Sequence, residues 1–394
     1  MKSAGTIAAA VTWPQVHAFR LHRHHLDRRA PKKDLAKVVG EVGGVQAQVM
    51  SAAELQVAVR VDCTVEDVRR ALWKDRSLVK TWLMRGTLHV TRSEDLPTYV
   101  GAMTALWKSQ MRPSWLKYME ISAEEFWAIV DEIGAKLDGK PITREELIAA
   151  VGKGKSERVR ELLRSGWGGM LKPAARLGLL CFGPSRGQSV TFVRPDKWLP
   201  SWHSVNQEDA LAAMARRYLS AYGPATKVDF TRWWGAWPGV GNAAWSALKD
   251  ELVTVSVDGV AMQLLGNDTE TLRRAKIDEP VQLLPGFDTY LMGHARRDHM
   301  VASGFASRVS RVAGWISACV LLNGEVVGTW THTAKNGRLQ VKVAPFKRLP
   351  ASVTTAIKKR AVALGDALSA AKTEVSFGQD AREMVLTTRR FASR

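Results

Sequence analysis

The chain has 394 residues, 46% hydrophobic and 24% charged, the composition of a soluble globular protein too long for one ordinary core. No window approaches ~18 uninterrupted apolar residues, and Cys63, Cys181 and Cys319 lie far apart with no CxxC or HExxH pattern. That excludes a membrane-spanning helix, a disulfide framework and a structural zinc site, and leaves buried free thiols as the expectation. A formal net charge of +19 and a pI near 10.1 exceed what solubility needs and point to a polyanionic partner, nucleic acid first.

The N-terminal AGTIAAAVTW is mildly apolar but has no charged leader region or cleavage site. It reads as the lead-in to a first helix of a cytoplasmic protein. The nine histidines are scattered except for His22, His24 and His25.

Residues 43–51 read GGVQAQVMS. Glutamine is costly to bury unpaired and cannot act as a general base, because its carboxamide does not titrate. Gln46 and Gln48 are therefore suited to aiming dipoles, although a hydrogen-bonded surface turn would use the same residues. On a helix the two would diverge by about 200°; in a strand they share a face. Gly43 and Gly44 suit a break in the helix or a close backbone approach to DNA. Gln56, two turns on, reads as a helix-face residue without a role.

TVEDVRRALWKDRSLV is helical, and TWLMRGTLHV looks like a strand pair in which Arg85, Thr87 and His89 alternate. In a strand they would share one face, directed at phosphate or committed to core and cap roles. Next, ISAEEFWAIVDEIGAKL and PITREELIAAV each open with a capping pattern, Ser122 with Glu125 and Thr143 with Glu146. SERVRELLRSGWGGMLKPAARLGLL follows as a third helix, then a hairpin with a basic tip. The clearest copy of this plan is residues 207–266: three helices, then VTVSVDGVAMQLLG folded about Asp258-Gly259. Helix, helix-turn-helix and hairpin in that order describe a winged helix, repeated at about 70 residues. Trp127 and Trp245 fall at core positions, whereas the adjacent Trp233 and Trp234 cannot both face inward, so one is expected to be partly exposed or packed between domains.

Residues 267–279 are polar and look like a linker. From 280 onward the chain is β-rich, with Asn323-Gly324 and Asn336-Gly337 as hairpin turns. A basic helix at about 351–371 and the short strand TEVSFG follow, so a small β-barrel or curled sheet backed by that helix is expected. Asp288 in PGFDTYL fits a structural turn. Arg296, Arg297, Arg308 and Arg311 flank HMVASGFAS, a basic loop or hairpin able to reach a groove. The fold class is α+β: winged-helix units at 1–120 (carrying QAQ), 121–200 and 201–268, and a C-terminal β-barrel-like domain at 269–394. Charge is uneven, with net +6 in residues 1–37 and net +9 in residues 335–394. Neither basic segment pairs that charge with an apolar face fit for a membrane.

GGVQAQVMSAAEL, LVKTWLMRGTLHV, AYGPATKVDFTRWWG, LLPGFDTYLMGHARRD and VKVAPF, in this order, resemble the AlkZ/YcaQ family of bacterial DNA glycosylases. The likeness runs from about residue 14 to residue 380. The resemblance implies three winged helices with a β-barrel around a basic concavity, and a catalytic glutamine–aliphatic–glutamine motif at Gln46 and Gln48. It also implies release of N7-alkylated purines, including bulky adducts and interstrand crosslinks, with no cofactor. The expected partner is duplex DNA, bound by a monomer, with Arg85, Thr87, His89, Arg296, Arg297, Arg308 and Arg311 as candidate DNA contacts. Repair, or self-resistance to a DNA-alkylating natural product, is the implied role. The alternative is a winged-helix regulator that binds DNA without chemistry. A YcaQ-type enzyme would carry aspartate where this chain has Gln48.

Overall fold

The computed structural model describes residues 7–107, 113–166 and 168–378; the last part of the basic tail, 379–394, lies outside the described residues. The fold is a mixed α+β arrangement divided into two compact units. One is built from the segments up to Val68, Tyr218–Trp233 and the chain from Asp250; the other from Arg69–Arg217 and Trp234–Lys249.

In the second unit the hairpin Leu78–Trp82 with Leu88–Arg92 pairs antiparallel, Val79 opposite Thr91. The helix Ala123–Lys136 starts where Ser122 accepts a hydrogen bond from the Glu125 amide at 3.1 Å. Thr143 completes a reciprocal box with Glu146, opening Arg144–Val151. The expected third helix is two, Glu157–Arg164 and Leu171–Arg176. Between them Gly168 adopts φ +73° and its amide donates to the Ser165 carbonyl at 2.9 Å, a turn that glycine makes at little cost. The strands Cys181–Arg186 and Ser189–Val193 form the hairpin, and Ile142–Thr143 pairs with its second strand. Phe126, Ile129, Ile133, Leu147, Val159 and Phe192 fill the core, with Trp127 packed against it and Trp245 buried.

In the first unit AGTIAAAVTW leads into the first helix, Trp13–Arg23, as expected, but does so as a strand: Ile7–Val11 adds parallel to Leu252–Val257 of the Asp258-Gly259 hairpin. Residues 267–279 are not a loose linker. Thr269–Arg274 is helical, and Leu272 is fully buried with Val16, Phe19 and Val257.

The C-terminal part is a five-stranded sheet of Val281–Leu284, Cys319–Leu322, Glu325–Lys335, Arg338–Pro345 and Lys372–Phe377, in that order. The first four pair antiparallel and the last parallel. The helix Ala351–Ala367 packs over both outer strands. Leu283, Trp330, Val341, Ile357 and Leu364 form the core of this layer. Asn323-Gly324 and Asn336-Gly337 turn with positive φ at both residues, as such two-residue hairpins require. The three cysteines are free and buried, as expected.

Trp233 and Trp234 are both buried, so of the two alternatives partial exposure does not hold. Trp233 packs with Tyr218 and Phe230 in the first unit, while Trp234 stacks on Tyr99 in the second. Adjacent residues on a helix diverge by about 100°, and two cores take up the two directions.

Phe126 is fully buried between Trp115 and Trp127. Phe126→Ala is expected to lower unfolding free energy by about 3–5 kcal/mol, measured by urea denaturation.

Candidate functional site

The QAQ segment is shaped by how the preceding helix ends. Leu35–Glu41 closes with Gly43 and Gly44 at φ +74° and +84°. The Gly43 amide donates to the Gly40 carbonyl at 3.1 Å and the Gly44 amide to the Val39 carbonyl at 2.9 Å. Gly43 also lies against Trp233: a Cβ there would stand 2.9 Å from the indole. The chain leaves this turn as the short strand Val45–Gln46 and enters the helix Met50–Ala58. Gln46 and Gln48 thus sit at a strand-to-helix junction, outside any regular helix. Their environments differ. Gln48 is exposed. Gln46 is only 6% exposed, and its amide oxygen is buried with no hydrogen-bond partner among the described residues.

Beneath the junction runs a chain of buried polar groups. Gln56, expected to be a helix-face residue without a role, is fully buried. Its amide nitrogen donates to the carbonyls of Gln46 at 3.2 Å and Gly286 at 3.4 Å. Arg60 donates to the Gln56 carbonyl at 2.9 Å and grips Asp288 through both terminal nitrogens, at 2.9 and 2.6 Å. Asp288 accepts in addition from the Tyr290 amide at 2.9 Å, capping Thr289–Met292, the turn role expected of it. On the other side Tyr222 donates to the Val42 carbonyl at 2.9 Å, just ahead of the glycine pair.

Arg20, on the helix Trp13–Arg23, is buried and donates to the carbonyls of Tyr222 at 3.1 Å and Pro224 at 2.8 Å. Its positive charge lies favourably at the buried C-terminal end of the helix Gln207–Tyr222. Its Nη1 lies 3.0 Å from His299 Nε2, and His299 stacks on Trp13 at 4.1 Å. Burial, then the charge of Arg20, pushes His299 down to about 2 and His17 to about 4. Burial likewise holds His24 and His294 well below the ordinary value.

The remaining candidate residues divide clearly. Arg85 lies in the single turn Met84–Gly86 at φ +57°, with Gly235 packed on its backbone, and the strand begins only at Leu88. Arg85, Thr87 and His89 therefore do not alternate along one strand. His89 is buried; burial, then Arg85, lowers it to about 3. Its Nδ1 meets the Thr87 carbonyl at 2.9 Å and its Nε2 meets Arg85 Nη2 at 3.3 Å. The neutral ring holds the arginine. Arg297 donates to the Leu291 carbonyl and the Ser310 hydroxyl, both at 2.7 Å, while Arg296 pairs with Asp298 on the surface. Arg308 lies over the Phe346 ring. HMVASGFAS itself forms a helical turn, and the tight hairpin follows it at 310–316. There Ser310 bridges Ile316, and Ala313 and Gly314 turn at positive φ. Arg311 is exposed at this tip, with Val312 93% exposed and Trp315 half in solvent against Phe287. Sequence reasoning missed Gln56, Arg60, Arg20 and Tyr222, whose partners are mostly distant in sequence.

Among the described residues no helix is long and apolar enough to cross a membrane, and no cluster of His, Cys, Asp or Glu is placed to hold a metal ion. An interstrand DNA cross-link repair glycosylase of Streptomyces sahachiroi is 37% identical over 356 residues, covering 86% of this chain and 92% of the relative. The solved structure of the Streptomyces sahachiroi DNA glycosylase AlkZ matches with a TM-score of 0.83 at 35% identity, over 94% of this chain and all of that one. The protein is a DNA glycosylase. Residues 39–367 match the family described as DNA glycosylase AlkZ-like, and the chain belongs to it.

The buried histidines set an acid limit on the fold. Their folded pKa values lie below the unfolded value of about 6.5, so the unfolded chain takes up protons first as pH falls. Their stabilising effect is complete above about pH 6.5 and is lost on acidification toward about 4 for His17 and about 2 for His299. The loss is roughly 1.4 kcal/mol per pH unit for each such histidine. Urea midpoints should fall steeply below neutrality, and less steeply in His17→Gln; a flat wild-type profile would contradict the assignment.

Proposed function

We propose that the protein is a monofunctional glycosylase that hydrolyses the N-glycosidic bond of N7-alkylated purines in duplex DNA, with Gln46 and Gln48 as its catalytic amides. The observation that carries this is the buried amide oxygen of Gln46, which has no partner among the described residues, beside the exposed Gln48. An oriented acceptor with no protein donor can hold water or face a developing cation. Alkylation at N7 gives the purine a positive charge, so it departs readily. The bond from C1′ to the base breaks with its electron pair going to the purine, which becomes neutral. The sugar passes through an oxocarbenium-like state, water oxygen bonds to C1′, and the water's proton is lost to solvent. The products are the free base and an abasic site. The amides stabilise the cation and place the water; no strong acid or base is required.

The crosslink activity named for the Streptomyces relative supports a substrate range that includes bulky adducts and interstrand crosslinks. These suit an open, basic surface better than a closed pocket for a flipped base. We assign residues 1–120, 121–200 and 201–268 to three winged helices and 269–394 to a barrel-like domain. The recurring order of elements supports this: helix, short strand, two or three helices and hairpin from Ile142 to Val193, after Ala123–Lys136. Leu35–Glu41, Val45–Gln46, two helices and the Leu78–Arg92 hairpin repeat it. In the third copy Ala225, bridged to Gln263, takes the place of the short strand. For DNA contact, Arg85, Thr87, Arg296, Arg308 and Arg311 supply groups for phosphate, while His89 and Arg297 support their neighbours. Val312 and Trp315 make the tip at Arg311 suited to a groove. The protein acts as a monomer.

A duplex carrying N7-methylguanine, and another carrying a bulky N7 adduct, should release free base. Gln46→Ala and Gln48→Ala should each slow release by about 10²–10³-fold while binding DNA normally; full-rate release by both variants would refute the catalytic assignment. Arg311→Ala should weaken binding across sequences and reduce the salt slope of log K by about 1, read by fluorescence anisotropy over a salt series.

A further inference from the structure

We propose that Gln56 is a positioning residue for base release, acting through Gln46; this rests on the reading of Gln46 as catalytic. Gln56 sits on the helix Met50–Ala58 with no exposed surface. A buried carboxamide loses its hydration, and any half of it left unpaired bears the full desolvation cost. Here the acceptor half is unpaired among the described residues, while the donor half reaches the Gln46 carbonyl at 3.2 Å and the Gly286 carbonyl at 3.4 Å. The N–H donors are thus the part of the side chain that the structure uses. They hold the backbone of the residue whose own amide oxygen is buried without a partner among the described residues.

Gln56 is itself held. Arg60 bonds its carbonyl at 2.9 Å, and Arg60 is fixed by two bonds to Asp288. Gly286 lies two residues before Asp288, so both routes end on one turn. Gln46 is followed by Ala47 and the bend at Gln48, where the backbone leaves its strand after two residues. A strand this short gives little rigidity of its own, and the Gln56 clamp fixes the carbonyl at its end. Rotation of the Gln46 peptide would swing its side chain, and a misplacement of about 1 Å can cost about 100-fold in rate.

The test is a double-mutant cycle in the full-length protein, read as single-turnover release of N7-methylguanine from duplex DNA. Gln56→Met keeps length and volume but removes the donors. Alone it should slow release about 100-fold, with DNA affinity unchanged. Added to Gln46→Ala it should slow the residual release by less than about threefold, because residues acting as a unit are not additive. A merely structural Gln56 gives the same fold loss on both backgrounds, and that result overturns the inference, as does wild-type release by Gln56→Met. Gln56→Leu, of similar volume and without donors, runs the same cycle if the Met variant does not fold. Normal release by Gln46→Ala alone overturns the catalytic reading instead, so the two failures are distinguishable.

Discussion

The buried pair of Arg60 and Asp288 is the constraint from which the geometry of the QAQ segment follows. Both side chains are almost wholly out of solvent, at 1% and 0% exposure. Removing two charges from water costs several kcal/mol each, and attraction returns this only when the remaining donors and acceptors are met. Here the bidentate contact is supplemented on both sides, since Arg60 also bonds the Gln56 carbonyl and Asp288 also accepts the Tyr290 amide, while Arg60 Nε is left without a partner among the described residues. The pair joins the end of the Met50–Ala58 helix to the turn that follows the strand Val281–Leu284. The backbone of Gln46 hangs from that helix through Gln56. Its position is therefore set by a turn more than half the chain away in sequence as well as by the glycine turn that precedes it.

On the proposed reading, burial explains why an amide suits the position. A carboxylate at the depth of Gln46 would be penalised by desolvation and driven toward its protonated form. An amide oxygen keeps its dipole at every pH and needs no counter-charge. For a neutral base this would be too weak a catalyst. For a purine already made cationic by alkylation, the leaving group carries the driving force, and an oriented dipole suffices.

What could be read from the sequence was local. Ser122, Thr143, Asp258-Gly259 and Asn323-Gly324 act within a few residues of themselves, and each appears where its chemistry demands. The family likeness, carried by contiguous strings such as GGVQAQVMSAAEL, reached the enzyme class. Long-range events were not legible. Nothing in IAAAV shows that it will pair with Leu252–Val257, and the polar face of NDTETLRRAKIDE hid the buried Leu272. Alternation at Arg85, Thr87 and His89 mimicked a strand, but the left-handed Arg85 breaks it. Gln56 reads in the sequence only as a helix-face residue, because its two carbonyl partners, Gln46 and Gly286, are adjacent to it only in the fold.

Charge is treated in two opposite ways in this chain. On the surface an excess of lysine and arginine serves attraction to a polyanion, which the net +19 makes strong and salt-sensitive. Inside, Arg20 donates to the Tyr222 and Pro224 carbonyls and stays a cation, since burial lowers it only to about 10. The histidines beside it are kept neutral by the same burial and by its charge. Amides at the proposed centre do not ionise, so protonation on the acid side falls first on groups that hold the fold. On the proposed mechanism the acid boundary of activity belongs to folding, not to bond cleavage, which separates an amide-based glycosylase from one whose carboxylate titrates while the protein stays intact.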